Sequence, residues 1–148
     1  MRHRTVIAAA ALVSAVALAG SSLAVSPVPQ VTTLLAELRG PAEVPGPGDP
    51  DGSGSFSATI DRASREMCYK LDVKDIATPT MAHIHVGDRT TASIVVQPLQ
   101  APVNGHSEGC VIVPKRTARH LMLIPQEYYV NVHNAEFPNG AIRGQLLK

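Results

Sequence analysis

The sequence predicts an all-β fold, an antiparallel Greek-key β-sandwich of seven to eight strands, and three observations carry that expectation. Short runs that read as strands, TLLAELRG, GSFSATID, EMCYKLDV, AHIHVGD, ASIVVQPL, GCVIVP and YYVNVHN, follow one another between turn residues. Helical periodicity is confined to a single stretch, KRTARHLML at 115–123, where Ala118, Leu121 and Met122 share a face and predict one short helix. Nothing repeats at a fixed period, which excludes a solenoid.

The chain opens MRHRTVIAAAALVSAVALAGSSLA, with basic Arg2 and Arg4, an apolar run from Val6 to Ala19, and small Ser22 and Ala24 ahead of a cut. This is the pattern of a secretory signal peptide over residues 1–24, and a secreted, extracellular protein is expected. The apolar run falls short of the roughly 20 residues that a spanning helix needs, so no membrane span is expected after the leader is removed. Residues 25–33, SPVPQVTTL, read as an exposed lead-in that becomes a strand near Thr33, and residues 34–148 as a single domain.

Lys and Arg number 13 against 12 Asp and Glu, and Arg2 and Arg4 leave with the signal. The remaining charges nearly balance and form no run of one sign, which excludes a nucleic-acid surface and a polybasic membrane face. The segment PAEVPGPGDPDGSG, residues 41–54, is too rich in proline and glycine for a regular element and is expected to be a surface loop.

In GSFSATID, Phe56, Ala58 and Ile60 alternate with Ser57 and Thr59, and in EMCYKLDV, Met67, Tyr69, Leu71 and Val73 alternate with Cys68, Lys70 and Asp72. Asp61 to Arg65 between them suits a tight hairpin. Cys68 and Cys110 are the only two cysteines, and in an exported chain an even count predicts a disulfide. The 43-residue loop from Cys68 to Cys110 corresponds to about 4 kcal/mol in the chain-entropy model. Redox pairs are spaced more closely, as in Cys-x-x-Cys.

Three segments together resemble the CHRD domain, a module repeated in the animal secreted protein chordin and found singly in many bacterial exported proteins: LRGPAEVP, AHIHVGD and YYVNVHNAEFPNGAIRGQL. The resemblance spans about residues 34–147 and implies a secreted β-sandwich without a settled activity. In chordin it is associated with extracellular protein ligands, which does not transfer residue by residue. One departure stands out: after His-Ile-His-x-Gly the family usually has two more glycines, whereas GDRTTASIVV offers only Gly87, so a differently shaped loop is expected.

Chemistry concentrates on the histidines. Side chains on a strand alternate between faces, so His83 and His85 share one face and Ile84 and Val86 the other. YYVNVHN likewise places Tyr129, Asn131 and His133 together, opposite Tyr128, Val130 and Val132. If the two strands lie close, three imidazoles converge, an acceptable donor set for copper or zinc. His-x-His with a third histidine on another strand is loosely similar to the copper site of copper/zinc superoxide dismutases, although the zinc-loop ligands of those enzymes have no match here.

The other use of the same face is a structural polar network, in which Glu37, Glu43, Asn131, Arg143 and Gln145 satisfy the imidazoles and Arg143 with Gln145 tie a carboxylate such as Glu43 to the sheet. His106, in VNGHSEG, is expected in a flexible turn, His120 on a solvated face, and Pro138-Asn139-Gly140 as a turn without a chemical role. No nucleophile elbow, phosphate loop or His-Glu-x-x-His helix is present in the sequence. Two functions therefore stand side by side: an extracellular interaction module without catalysis, its partner an extracellular protein or a cell-envelope ligand, and a copper or zinc protein using His83, His85 and His133, with superoxide-dismutase-like redox chemistry as an extension. No cofactor is certain.

Overall fold

A computed structural model describes residues 30–148. The leader and most of the lead-in lie outside the described residues. Eight strands are present: β1 (Val31–Arg39), β2 (Ser53–Asp61), β3 (Glu66–Lys74), β4 (Pro79–Val86), β5 (Val95–Leu99), β6 (His106–Ile112), β7 (Tyr128–Asn134) and β8 (Ile142–Gln145). One helix, α1 (Lys115–Leu123), covers the residues expected of it, and Ala118 and Leu121 are its buried side chains.

All pairings are antiparallel and link the strands into one sheet in the order β5-β4-β7-β8-β1-β2-β3-β6. The chain forms β1-β2-β3 as a meander and then crosses to the other half for β4 and β5, back for β6, and over again for β7. The two four-stranded halves are joined at β1 and β8 by only the Arg39↔Arg143 pair and a bridge between Leu35 and Leu147. The narrow seam lets one sheet curl into the sandwich shape, its two halves closing on a shared core.

That core follows the alternation. Leu34, Ala36 and Leu38 of β1, Phe56, Ala58 and Ile60 of β2, and Met67, Tyr69 and Leu71 of β3 meet Ala82 and Ile84 of β4 and Val130 and Val132 of β7. Away from the seam, the Gln100 N–H donates to the Tyr69 hydroxyl at 2.9 Å and the Ser107 hydroxyl to the Gln100 carbonyl at 2.8 Å, tying the end of β5 to β3 and β6.

The hairpin between β2 and β3 is held by the Asp61 carboxylate, which accepts from the main-chain N–H groups of Ala63 and Ser64, while Arg65 takes a positive φ of 64°. Cys68 and Cys110 face each other across β3 and β6 and are bonded. Among the described residues no helix is long and apolar enough to cross a membrane.

Several boundaries differ from the sequence expectations. β1 starts at Val31 rather than Thr33, because its ladder with β2 extends to the Val31↔Asp61 pair. His106 is the first residue of β6 rather than part of a flexible turn, and its Nδ1 lies 2.7 Å from the Asp72 carboxylate across the ladder. His120 is half-buried rather than solvated, with Nδ1 3.1 Å from the Tyr128 hydroxyl. The loop after β1 is not purely superficial: Glu43 and Gly48 are buried, and the Asp49 N–H donates to the Ala141 carbonyl.

Candidate metal centre

The outer face of the β4-β7-β8 half is polar, and the register fixes which side chains meet there. Met81 lies opposite His133, His83 opposite Asn131, and His85 opposite Tyr129. On the other side of β7, Asn131 lies opposite Arg143 and Tyr129 opposite Gln145. The β4–β7 register is unbroken from Met81 to Val86, and the irregularity at Ile84/His85 lies in the pairing with β5. His83 and His85 therefore stay on one face. All seven residues of β7 are buried, because core covers one face and loops roof the other.

His83, His85 and His133 come together with one nitrogen of each within 4.8 Å of the others. His83 Nδ1 and His133 Nε2 are 3.3 Å apart. Two ligands at zinc–nitrogen bond lengths on a tetrahedral ion are separated by about 3.3 Å, so this pair already has a ligand spacing.

Two backbone carbonyls set the tautomers. His85 Nδ1 lies 2.7 Å from the Ser93 carbonyl and His133 Nδ1 3.0 Å from the Pro138 carbonyl. A carbonyl only accepts, so in each neutral ring the proton sits on Nδ1 and Nε2 keeps its lone pair. This is the arrangement that orients histidines for a metal, with the second nitrogen donating to a carbonyl. The turn at Pro138-Asn139-Gly140 thus has a chemical role after all, through a main-chain oxygen. His85 Nε2 is buried without a hydrogen-bond partner, and His133 Nε2 lies 3.3 Å from His83 Nδ1 and 3.1 Å from the Asn131 side-chain amide, which must present its NH2 to that nitrogen when Nε2 carries the lone pair.

Burial is the main cause that depresses all three imidazoles. His83 is pushed down to about 4, with the neighbouring His133 and His85 adding like-charge repulsion. His85 is lowered by burial and by Arg143 against the opposing pull of the Ser93 carbonyl and the Asn131 side chain, and His133 by burial and by His85 against the pull of the Pro138 carbonyl. At neutral pH the cluster is therefore three uncharged rings, the form that binds metal.

The surrounding network is built on the loop at 87–94. The buried Arg143 guanidinium donates through Nη2 to the Asp88 carbonyl and, at 3.0 Å, to the Thr91 carbonyl. It sits 3.4 Å over the Tyr129 ring, which itself stacks on His85 at 4.8 Å between centroids. The Gln145 amide nitrogen reaches the carbonyls of Gly87, Gln126 and Tyr128. Arg143 and Gln145 thus anchor loop carbonyls, and Arg143 is also near enough to Glu43 to act on its carboxyl. Burial pushes Glu43 up to about 7 against the opposing influence of Arg143, the Val44 N–H and Asn131. Glu37 takes no part; it is exposed, beside Arg39.

Alternation in the sequence places Tyr129, Asn131 and His133 on this face, but the Arg143–Tyr129–His85 stack and the carbonyls of Ser93 and Pro138 carry no sequence signal. Met81 does carry one, since it stands two residues before His83 and alternation puts it on the same face.

The chain belongs to the CHRD domain family, whose model matches residues 34–146. No curated protein and no solved structure matches it.

Proposed function

We propose that this CHRD domain is an extracellular-type binding module whose ligand is a transition-metal ion held by His83, His85 and His133. One observation carries the proposal: a buried His85 Nε2 lone pair without a partner, in a ring whose tautomer a carbonyl fixes, beside two further imidazole nitrogens. Three imidazole nitrogens within 4.8 Å of one another, in rings of which two turn their other nitrogen to a carbonyl, match the donor set of a metal ion. A site of action outside the membrane is supported by the leader pattern in residues 1–24 and by the Cys68–Cys110 disulfide.

The test is calorimetric titration of the protein with zinc and copper salts, beside a His83→Ala/His85→Ala variant. Micromolar or tighter binding that disappears in the variant is expected. Equal weak binding in both, with the variant only less stable, returns the three rings to a structural role, which the 3.3 Å approach of His83 Nδ1 to His133 Nε2 also permits as a hydrogen bond.

A further inference from the structure

We infer that Met81 completes this centre as a thioether ligand and makes Cu(I) its preferred ion; the inference rests on the three-histidine site proposed above. Met81 precedes His83 by two residues in an unbroken stretch of β4, so its side chain leaves the sheet on the histidine face. It is 47% exposed while the next residue, Ala82, is 1% exposed on the core side.

Its partner across the ladder is His133 itself. Side chains directly opposite on antiparallel strands start about 5 Å apart at Cβ, and a methionine side chain is long and flexible enough to turn its sulfur across that gap toward His133. Met67 is in the core and Met122 packs against it, so Met81 is the described methionine available to the site. Both cysteines are bonded to each other.

The donor set then decides the ion. Three imidazoles and a thioether are all neutral, and thioether sulfur is a soft ligand that favours Cu(I) over zinc. Charge points the same way. Arg143, stacked on Tyr129 next to His85, places a positive charge beside the cluster that Glu43 and Asp88 offset only in part, and no carboxylate is among the proposed ligands. Repulsion from that charge is half as large for a monovalent ion as for a divalent one.

The experiment is an anaerobic competition for Cu(I) against a chromophoric Cu(I) chelator, with zinc affinity measured in parallel, on the unmodified protein, Met81→Leu, and His83→Ala/His85→Ala. Met81 is exposed, so Met81→Leu leaves the fold intact. Met81→Leu is expected to weaken Cu(I) binding on the order of tenfold and zinc binding by clearly less. X-ray absorption of the Cu(I) form should show a sulfur neighbour that the leucine variant lacks. Cu(I) binding equal in the two proteins, or a spectrum with nitrogen neighbours alone, overturns the role of Met81 and leaves the histidine site standing. Failure of the unmodified protein to bind Cu(I) or zinc overturns both.

Discussion

Replacing Arg143 by methionine keeps an extended side chain over Tyr129 and removes the charge and the donors. Arg143 is 2% exposed, and its Nη2 serves the carbonyls of both Asp88 and Thr91. Hydrogen bonds from a charged donor contribute about 1.5–3 kcal/mol each, and the guanidinium on the Tyr129 ring about 1 kcal/mol more. Two effects offset this. Nη1 is buried without a partner, so desolvating the charge already weakens the native state, and the freed loop carbonyls can reach water. The balance is a loss of about 3 kcal/mol, read as a lower midpoint in urea unfolding at pH 7. Amide hydrogen exchange should accelerate first in residues 87–94, because Arg143 and Gln145 hold that loop to the sheet. Arg143→Lys should recover little of the loss, since an ammonium cannot bond two carbonyls while lying flat on a ring. The reasoning fails if Arg143→Met costs less than about 1 kcal/mol, or if protection of the 87–94 amides is unchanged.

Three further outcomes follow from the same structure. Replacing Cys68 and Cys110 together by serine should lower stability by up to about 4 kcal/mol while leaving metal affinity intact, because the bridge lies on β3 and β6 in the other half; a loss of binding would contradict this. Gly140→Ala should cost at least about 2 kcal/mol in thermal or urea unfolding, since its φ of 141° disfavours any side chain and the new methyl would fall inside contact distance of the Glu43 carboxyl; a neutral result would show that Glu43 moves freely. Metal-free stability should peak near pH 6.5: the depressed histidines contribute stability above their ordinary 6.5 that is lost as pH falls through about 4 for His83, whereas the stability linked to protonated Glu43 is complete below 4.5 and lost as pH rises through about 7. Glu43→Gln should then gain about 2 kcal/mol at pH 8 and little at pH 4.5, and no gain at pH 8 would sink the assignment.

Alternation made much of the fold legible. Phe56, Ala58 and Ile60 point inward because every second residue of a strand does, and the same rule places Met67, Tyr69 and Leu71 in the core. α1 was legible too, since Ala118 and Leu121 fall on one face at helical spacing. β8 was harder: IRGQ is four residues long, with Arg143 and Gln145 buried on its outer side, and so lacks the contrast of apolar and polar positions that reveals a strand. The closure of one sheet into two facing halves is set by the short β1–β8 seam, a long-range pairing that no local pattern announces.

The candidate site divides along the same line. Everything contributed by strands, the shared face of His83 and His85 and that of Tyr129, Asn131 and His133, can be read from a period of two. What turns those side chains into poised ligands comes from loops and from main-chain atoms. The Ser93 and Pro138 carbonyls choose the tautomers, and any residue type carries an identical carbonyl, so composition is silent about them. Arg143 links strand and loop: it stands on β8 and fixes the loop that carries Ser93. The buried arginine keeps its charge through the loop carbonyls it bonds, the Tyr129 ring, and the nearby carboxyl groups of Glu43 and Asp88. The strands therefore supply the donors, and the loop anchored by that charge sets the orientation of His85, the ring with the unpaired nitrogen.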